Sequence, residues 1–343
     1  MRNQSSPSLV IPSSSGFTPG LVTTIIPVYN RAEMLSNAVQ SVLDQDYRPI
    51  EIIIVDDGST DNTYSIAQQL ASRNPEEIRV FKQTNSGPGP ARQFGLQHAR
   101  GEFIQYLDSD DLLCRQKFTL QVEMLRRQPD CDVCYSISHD HFLRDGLPIR
   151  DVPTKGTGEY RPTLFPKLLL ERWWSTNTPL YRHDALKLIG PWKALINEED
   201  WEYDARLGAL NVKLAWVSES LSIKRWFAAD QHLSNAGAFD PEKLRHRAIA
   251  RHSVYQSALT AGVSHDSPEM KHFAHAAFLM ARDCCNANLG KEASALLSLA
   301  SQAGCNDNKL LRDLRIFRLM KKLLGGRNAV RLGEMFHRLR TSS

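Results

Sequence analysis

Residues 21–60 read LVTTIIPVYNRAEMLSNAVQSVLDQDYRPIEIIIVDDGST, and this stretch decides the fold. The apolar run at 21–28 predicts a buried strand, and apolar residues at helical spacing over 35–43 predict a helix. Asn30, followed three positions later by a glutamate, is the expected N-cap of that helix. The sequence therefore predicts a strand, a turn and a helix in succession.

The same alternation continues downstream. We expect further strands at 51–55, 78–81 and 102–107, separated by helices near 66–70 and 91–99. Strands that alternate with helices over short connections give right-handed crossovers and a parallel sheet covered on both faces. The predicted fold class is therefore α/β, with a mostly parallel central sheet.

Local composition divides the chain into three parts. Residues 1–20 are rich in Ser and Pro, show little periodicity and are expected to form a disordered leader. Residues 21–240 are expected to form the α/β domain. Residues 241–343 are expected to form an α-helical region, in which an antiparallel helix pair turns around 288–290.

The overall composition, cysteine content and charge of the chain exclude several classes of protein. Of the 343 residues, 42% are hydrophobic and 23% charged, which is typical of a folded globular protein and not of a disordered or fibrous one. No stretch reaches the roughly 18 apolar residues of a membrane-spanning helix, and no secretory pattern opens the chain, so we expect a cytoplasmic location. Six scattered cysteines do not form a disulfide framework. The net charge is −4 over residues 1–239, so we do not expect a nucleic-acid partner for this domain.

Polar side chains follow three of the predicted strands. The strand ends carry PVYN at 27–30, DDGS at 56–59 and DSDD at 108–111. Ligands of open α/β sheets bind outside the carboxyl ends of the strands, so these residues should share one crevice. Three acidic residues within four positions repel one another unless a cation is present, and carboxylates with water suit Mg²⁺ or Mn²⁺. The alternative is a solvated acidic turn before a helix.

Four blocks of this sequence resemble the family 2 glycosyltransferases in order and approximate spacing. They are TTIIPVYNR at 23–31, IIIVDDGSTDNT at 52–63, NSGPGPARQFGL at 85–96 and YLDSDD at 106–111. The resemblance extends through ALINEEDWEYDARLG at 194–208 to about residue 233. It implies a GT-A-type, Rossmann-like nucleotide-binding domain and an inverting glycosyltransferase.

The resemblance also implies roles on the donor side of the site. Pro27 and Tyr29 would line the base pocket. Asp57 would accept a hydrogen bond from the uracil imide, and Arg92 would lie against the nucleotide. These roles agree with the chemistry, because a planar base suits an aromatic face and an imide N–H suits a carboxylate.

By the same resemblance, Asp108 would bind the ribose or the metal, and Asp110 would be the direct metal ligand of a D-x-D motif. The implied cofactor is Mn²⁺ or Mg²⁺. Asp200 would be the general base that takes the proton of the acceptor hydroxyl. The alternative for Asp200 is a helix-capping carboxylate, since negative charge is favourable at a helix N-terminus.

The chain departs from the family pattern in two places. Gln93 stands where the family often has Asn. Many members carry Arg-x-His after the base motif, whereas this chain reads KRWF at 224–227, with His232 five residues further on. Arg225 is therefore retained as a nucleotide-binding residue, and His232 is left out of the site.

Two further patterns leave alternatives open. His139 and His141 flank Asp140 and would point to one face of a strand, but two histidines alone seldom make a metal site. Residues 309–343 contain ten Lys and Arg against two Asp and Glu, with an apolar stripe at 310, 314, 317, 320 and 324. Such a helix either contacts an anionic membrane surface, near lipid-linked acceptors, or docks on its own domain.

We therefore predict a metal-dependent, inverting, hexosyl-type glycosyltransferase. It would move a sugar from a nucleotide diphosphate donor, with UDP favoured, to a hydroxyl acceptor in cell-surface polysaccharide or glycoconjugate synthesis. A sugar-1-phosphate nucleotidyltransferase would need a Gly-rich loop with Arg and Lys after the first strand, and residues 29–32 provide none. The remaining alternative is an inactive nucleotide-sugar-binding scaffold that acts through the C-terminal helices. It would require an inactive site, and the presence of Asp110 and Asp200 argues against it.

Overall fold

The computed structural model describes residues 16–144, 147–227 and 240–332, and a nine-stranded sheet lies at its centre. The strands are β1 (Thr18–Val28), β2 (Ile50–Asp56), β3 (Ile78–Lys82), β4 (Gly101–Tyr106), β5 (Leu112–Leu113), β6 (Val133–Arg144), β7 (Leu147–Pro153), β8 (Leu180–Arg182) and β9 (Leu214–Phe227). The helices are α1 (Ala32–Leu43), α2 (Thr63–Arg73), α3 (Pro88–His98), α4 (Lys117–Arg127), α5 (His183–Ile189), α6 (Glu199–Ala209), α7 (Pro241–Thr260), α8 (Pro268–Asn286), α9 (Gly290–Ala303) and α10 (Asn308–Leu324). A short 3-10 helix spans Lys167–Leu169.

The strand order is β3-β2-β1-β4-β8-β6-β9-β5, with β7 paired to β6. β1 pairs in parallel with β2 and β4, β2 with β3, and β6 with β9. β8 runs antiparallel to β4 and β6, β5 to β9, and β7 to β6. The predicted α/β class with a mostly parallel sheet is confirmed.

Strand β2 is buried on both faces of the sheet, which explains its apolar run at residues 52–55. Ile54 packs in one cluster with Leu35 of α1, and Ile53 packs in another with Ala91 of α3. Burying each such side chain contributes roughly 1.5–3 kcal/mol. A Cβ at Gly95 of α3 would lie 2.4 Å from a methyl carbon of Ile25, so the glycine lets α3 approach β1 closely. This approach brings the start of α3 to the carboxyl edge of the sheet.

The first strand starts earlier than expected. β1 begins at Thr18 and not at residue 21, because the Thr18 amide donates to the Arg100 carbonyl at 2.8 Å and extends the pairing with β4. Residues 1–15 of the predicted leader lie outside the described residues.

The expected N-cap of α1 is wrong. Arg31 occupies the cap position, and Asn30 has a φ of 49°. The Asn30 side chain instead accepts a hydrogen bond from the Thr60 amide at 2.9 Å. It therefore ties the end of β1 to the loop after β2, a pairing that local sequence does not reveal.

The C-terminal helices share a core with the α/β part. Asp240 caps α7 by accepting hydrogen bonds from the amides of Glu242 and Lys243 at 2.9 and 3.0 Å. The predicted helix pair is present as α8 and α9, which turn at Asn288. Leu244 of α7 belongs to the same apolar cluster as Tyr203 of α6. Because this cluster spans the predicted boundary at 240, the division into two domains stays a prediction.

The first part of the predicted apolar stripe of α10 is docked on the fold, whereas Leu324 at its end is 46% exposed. Leu310, Leu314 and Phe317 are buried in the large core cluster, which favours the docked alternative for this face. The opposite side of α10 exposes Ile316, Leu319 and Leu323. None of the helices in the described ranges is both long enough and apolar enough to span a bilayer.

Candidate active site

The end of β1 presents an aromatic ring at the carboxyl edge of the sheet. Pro27 is buried inside the strand, and Tyr29, two residues later, is 45% exposed. An exposed tyrosine offers a face on which a planar base can stack. The predicted base-pocket role of Pro27 and Tyr29 is compatible with this placement and stays a prediction.

Asp57 binds the loop that leads into α3. Its Oδ1 accepts hydrogen bonds from Gln83 Nε2 at 2.7 Å and from the Ser86 amide at 2.9 Å, and its Oδ2 accepts from the Gly87 amide at 2.8 Å. A carboxylate can accept about four hydrogen bonds, and the described residues supply three of them, with a single donor on Oδ2. Asp57 thus shapes the pocket, and its proposed contact to a uracil imide stays a prediction.

The acidic turn at residues 108–111, after β4, has one buried carboxylate and two partly exposed ones. Asp111 is buried, with Oδ1 accepting from the Arg225 amide at 2.9 Å and Oδ2 from Asn177 Nδ2 at 3.2 Å. Burial, reinforced by the charges of Asp110 and Asp108, raises the pKa of Asp111 well above its ordinary range. Asp111 therefore anchors the turn to β9, while the side chain of Asp108 stays 33% exposed at the crevice.

The residues at this turn fit a hard divalent cation. Asp108 and Asp110 offer carboxylate oxygens in a partly exposed position beside buried, like-charged Asp111. Mg²⁺ is commonly held by one or two carboxylates together with substrate phosphates and water. Within the described ranges, the turn does not bring three ligand side chains within bonding reach of one another, so phosphates and water would complete the coordination.

Arg92 of α3 links the acidic turn to the start of α6. Its Nη2 donates to Asp108 Oδ1 at 2.6 Å and its Nη1 to Glu199 Oε1 at 2.9 Å, while the guanidinium lies 4.9 Å from the ring centre of Trp192. Burial opposes the charge of Arg92, but the two carboxylates outweigh it and raise the pKa of Arg92. One buried cation therefore brings the acidic turn and the start of α6, which are far apart in the sequence, to the same crevice.

Asp200 lies in the first turn of α6 and is held on both oxygens. Its Oδ2 pairs with Arg172 Nη1 at 2.8 Å, and its Oδ1 accepts from the Trp201 amide at 2.7 Å. Burial raises the pKa of Asp200, but the charges of Arg172 and Arg92 outweigh that effect and lower it below the ordinary value. Asp200 is therefore ionised at neutral pH, as a proton acceptor must be, and its side chain keeps 28% exposure.

Arg225 of β9 contacts the acidic turn from the other side. Its amide donates to Asp111, and its Nε donates to the Asp110 carbonyl. Burial lowers the pKa of Arg225, which Asp111 and Asp110 partly oppose. Arg225 Nη2 is buried without a hydrogen-bond partner among the described residues, so this donor could bind an anionic ligand. His232, which the sequence left out of the site, lies outside the described residues.

Several supporting residues escape sequence reasoning. Arg172 holds Asp200 and Asn177 holds Asp111, yet neither carries a motif signal. Glu199 lies inside the base motif, but its pairing with Arg92 depends on the tertiary structure. Trp173 and Trp174 pack in the core, with exposures of 1% and 2%.

The sequence of this chain is similar to a known protein family and to curated relatives. A family model described as "Glycosyl transferase family 2" matches residues 23–179. An uncharacterized glycosyltransferase of Nostoc sp. is 31% identical over 237 residues, covering 66% of this chain and 71% of that protein. The chain spans less than half the length of the first curated relatives that it matches.

Solved structures resemble the whole described fold. Residues 1–349 of S. aureus TarS in complex with UDP-GlcNAc give a TM-score of 0.65 at 19% identity, covering 92% of this chain and 91% of that one. The mannosyltransferase PcManGT of Pyrobaculum calidifontis, in complex with GDP-Man and Mn²⁺, gives 0.51 at 18% identity, covering 92% and 87%. At these identities the likeness shows a common fold.

Proposed function

The chain belongs to glycosyl transferase family 2, and from this we propose that it is a metal-dependent, inverting nucleotide-sugar glycosyltransferase. The donor is a nucleotide diphosphate sugar, UDP-linked, and the acceptor is a hydroxyl group of a sugar or lipid-linked glycan. Complexes of the similar structures with UDP-GlcNAc and with GDP-Man and Mn²⁺ support this class of donor. We place the reaction in cell-surface polysaccharide or glycoconjugate synthesis.

The observation that carries the proposal is the bridge made by Arg92. It binds Asp108, from the proposed donor and metal turn, and Glu199, the neighbour of the proposed base Asp200. A displacement reaction needs the donor and the activated acceptor in contact distance within one water-poor site. The Arg92 bridge supports the proposal that both motifs line one crevice.

On the donor side, Tyr29 stacks on the base, Asp57 offers its remaining acceptor position, and Arg92 and Arg225 supply positive charge toward the nucleotide. Asp108 and Asp110 would hold Mn²⁺ or Mg²⁺. The ion, when bound, offsets the negative charge that grows on the leaving diphosphate. This division agrees with the burial of the turn, in which Asp108 and Asp110 are partly exposed and Asp111 is buried against Arg225 of β9.

On the acceptor side, Asp200 takes the proton of the attacking hydroxyl. Arg172 and the Trp201 amide fix both of its oxygens, so the carboxylate is oriented before the acceptor binds. A positioned general base contributes roughly 10²–10⁴ in rate. A single base and a single displacement give inversion at the transferred carbon.

The exposed side of α10 supports peripheral contact with the cytoplasmic face of an anionic membrane. Ile316, Leu319 and Leu323 are 51%, 58% and 71% exposed and lie on one helical stripe. Exposed basic residues flank this stripe at Arg312, Arg315, Arg318 and Lys322. Apolar insertion combined with attraction to anionic headgroups is the usual basis of such binding. This contact would bring the enzyme to lipid-linked acceptors.

The proposal is tested by a panel of nucleotide sugars with Mn²⁺, scored for donor hydrolysis and transfer. We expect one UDP-sugar to be turned over, activity to vanish with a chelator and to return with Mn²⁺ or Mg²⁺. Asp110→Ala should abolish turnover with an unchanged melting temperature. Asp130→Ala is the matched control, because the Asp130 side chain is 73% exposed and lies outside the site. Undiminished turnover in excess chelator would refute metal dependence.

A further inference from the structure

A second group of metal-ligating side chains lies on the β6–β7 hairpin. His139, His141 and Asp151 each offer a ligand atom, and these atoms lie within 4.8 Å of one another. Among the described residues, this is the one group of three or more His, Cys, Asp or Glu side chains that is close enough to hold a metal ion. The proposed catalytic chemistry does not use it.

The hairpin geometry explains why these three side chains meet. His139 and His141 are alternate residues of β6 and so project from the same face. Asp151 of β7 is the antiparallel partner of His141, so its side chain lies on that face too and sits diagonally from His139. The sequence pointed to the two histidines, but the third ligand depends on the strand register.

The ligand atoms of His139, His141 and Asp151 lie close together without a metal ion. Asp151 Oδ1 lies 2.6 Å from His139 Nδ1 and 3.4 Å from His141 Nε2. Ligands bound tetrahedrally to Zn²⁺ at 2.0–2.2 Å are separated by about 3.4 Å. Changes of at most about 1.4 Å in the distances between these ligand atoms would therefore convert the hydrogen-bonded group into a coordination shell.

We propose that His139, His141 and Asp151 form a binding site for a divalent transition-metal ion, Zn²⁺ in particular. Two imidazoles and one carboxylate suit Zn²⁺, whereas Mg²⁺ and Ca²⁺ prefer oxygen ligands throughout. The side chains keep 27%, 22% and 51% exposure, so an ion can enter from solvent and a water can take the fourth position.

The proposed Zn²⁺ site lies beside strand β9, which carries Arg225. His141 is in parallel register with Arg225 of β9, and Arg225 contacts Asp110 at the acidic turn. Zn²⁺ would cross-link β6 to β7 directly beside this strand. The ion would therefore fix the hairpin next to the proposed donor site and would do so without any part in the transfer reaction.

The test measures Zn²⁺ binding to chelator-stripped full-length protein by calorimetry, in an Asp110→Ala background that removes the acidic-turn site. We expect one Zn²⁺ per chain, a higher melting temperature with Zn²⁺, and no competition from excess Mg²⁺. His141→Gln and Asp151→Asn should each weaken binding by at least roughly 100-fold, since losing even a group that merely orients a ligand costs 10–100-fold. With Co²⁺ as the probe, the visible absorption of a tetrahedral imidazole site should appear and be lost in both variants.

His275→Gln is the matched control, because His275 is an exposed histidine 3.0 Å from Asp307 in a pair that has no second imidazole. This variant should bind Zn²⁺ like its parent. Melting temperatures without metal show whether His141→Gln and Asp151→Asn are folded. Zn²⁺ affinity that is equal in folded His141→Gln and its parent would overturn the proposal, and so would a parent protein that binds no Zn²⁺.

Discussion

Replacing Arg92 with methionine removes the charge that bridges the two halves of the candidate site. The guanidinium is 4% exposed, and its partners Glu199 and Asp108 are 10% and 33% exposed. Removing one partner of a buried ion pair costs about 3–5 kcal/mol, because the other charge is left uncompensated. Glu199 dominates this cost, since water can solvate Asp108. We therefore expect Arg92→Met to lower the free energy of unfolding by about 3–5 kcal/mol at neutral pH.

The loss should also depend on pH. Burial and the charge of Asp200 raise the pKa of Glu199, and Arg92 opposes them, so the pKa rises further in Arg92→Met. A carboxyl group with a raised pKa in the folded state favours folding while it is protonated, and this contribution is lost as pH rises through the folded-state pKa. The stability deficit of Arg92→Met relative to wild type should therefore be larger at alkaline pH than in mild acid.

Urea unfolding at two pH values measures both effects, and Glu199→Gln provides the rescue. In the double variant Arg92→Met with Glu199→Gln, no buried charge remains uncompensated, so most of the stability should return while turnover stays low. The control Arg127→Met removes an exposed pair with Glu123 and should cost about 1 kcal/mol or less. An Arg92→Met protein that is as stable as wild type, or that Glu199→Gln does not rescue, would refute the bridge.

Two further predictions concern the C-terminal helices. Leu314→Ala should lower the free energy of unfolding in urea by about 2–5 kcal/mol, because Leu314 is fully buried, whereas Leu319→Ala at a 58% exposed position should cost under about 0.5 kcal/mol. Replacing both Leu319 and Leu323 with glutamate should reduce binding to vesicles that contain anionic lipid without lowering the melting temperature, and equal vesicle binding by both proteins would exclude the membrane contact.

The sequence predicted the half of the fold that local periodicity determines. The strands and helices from β1 to β4 follow from apolar runs and helical spacing, and the crevice follows from the rule that parallel strands end at one edge. The acidic turn and the base motif could be singled out because carboxylates cluster there. The family assignment rests on those same blocks and is confirmed.

The sequence could not show contacts that depend on long-range register. Asn30 resembled a helix cap, but its side chain bonds to Thr60 across two loops. Asp111 resembled its neighbours in the turn, yet only the position of β9 turns it inward to Arg225. Asp151 completes the histidine pair only once β7 is paired with β6. Such roles need the tertiary structure because no local pattern marks them.

The most direct test of the proposed chemistry is Asp200→Asn, which keeps the size of the side chain and removes its charge. If Asp200 is the base, the variant should bind UDP and Mn²⁺ with near-normal affinity in calorimetry yet lose roughly 10²-fold or more of its turnover. If Asp200 only caps α6, asparagine should replace it with a stability cost of about 1 kcal/mol or less and little change in rate. A variant with a normal melting temperature and more than about half of the wild-type turnover would contradict the assignment of Asp200 as the base.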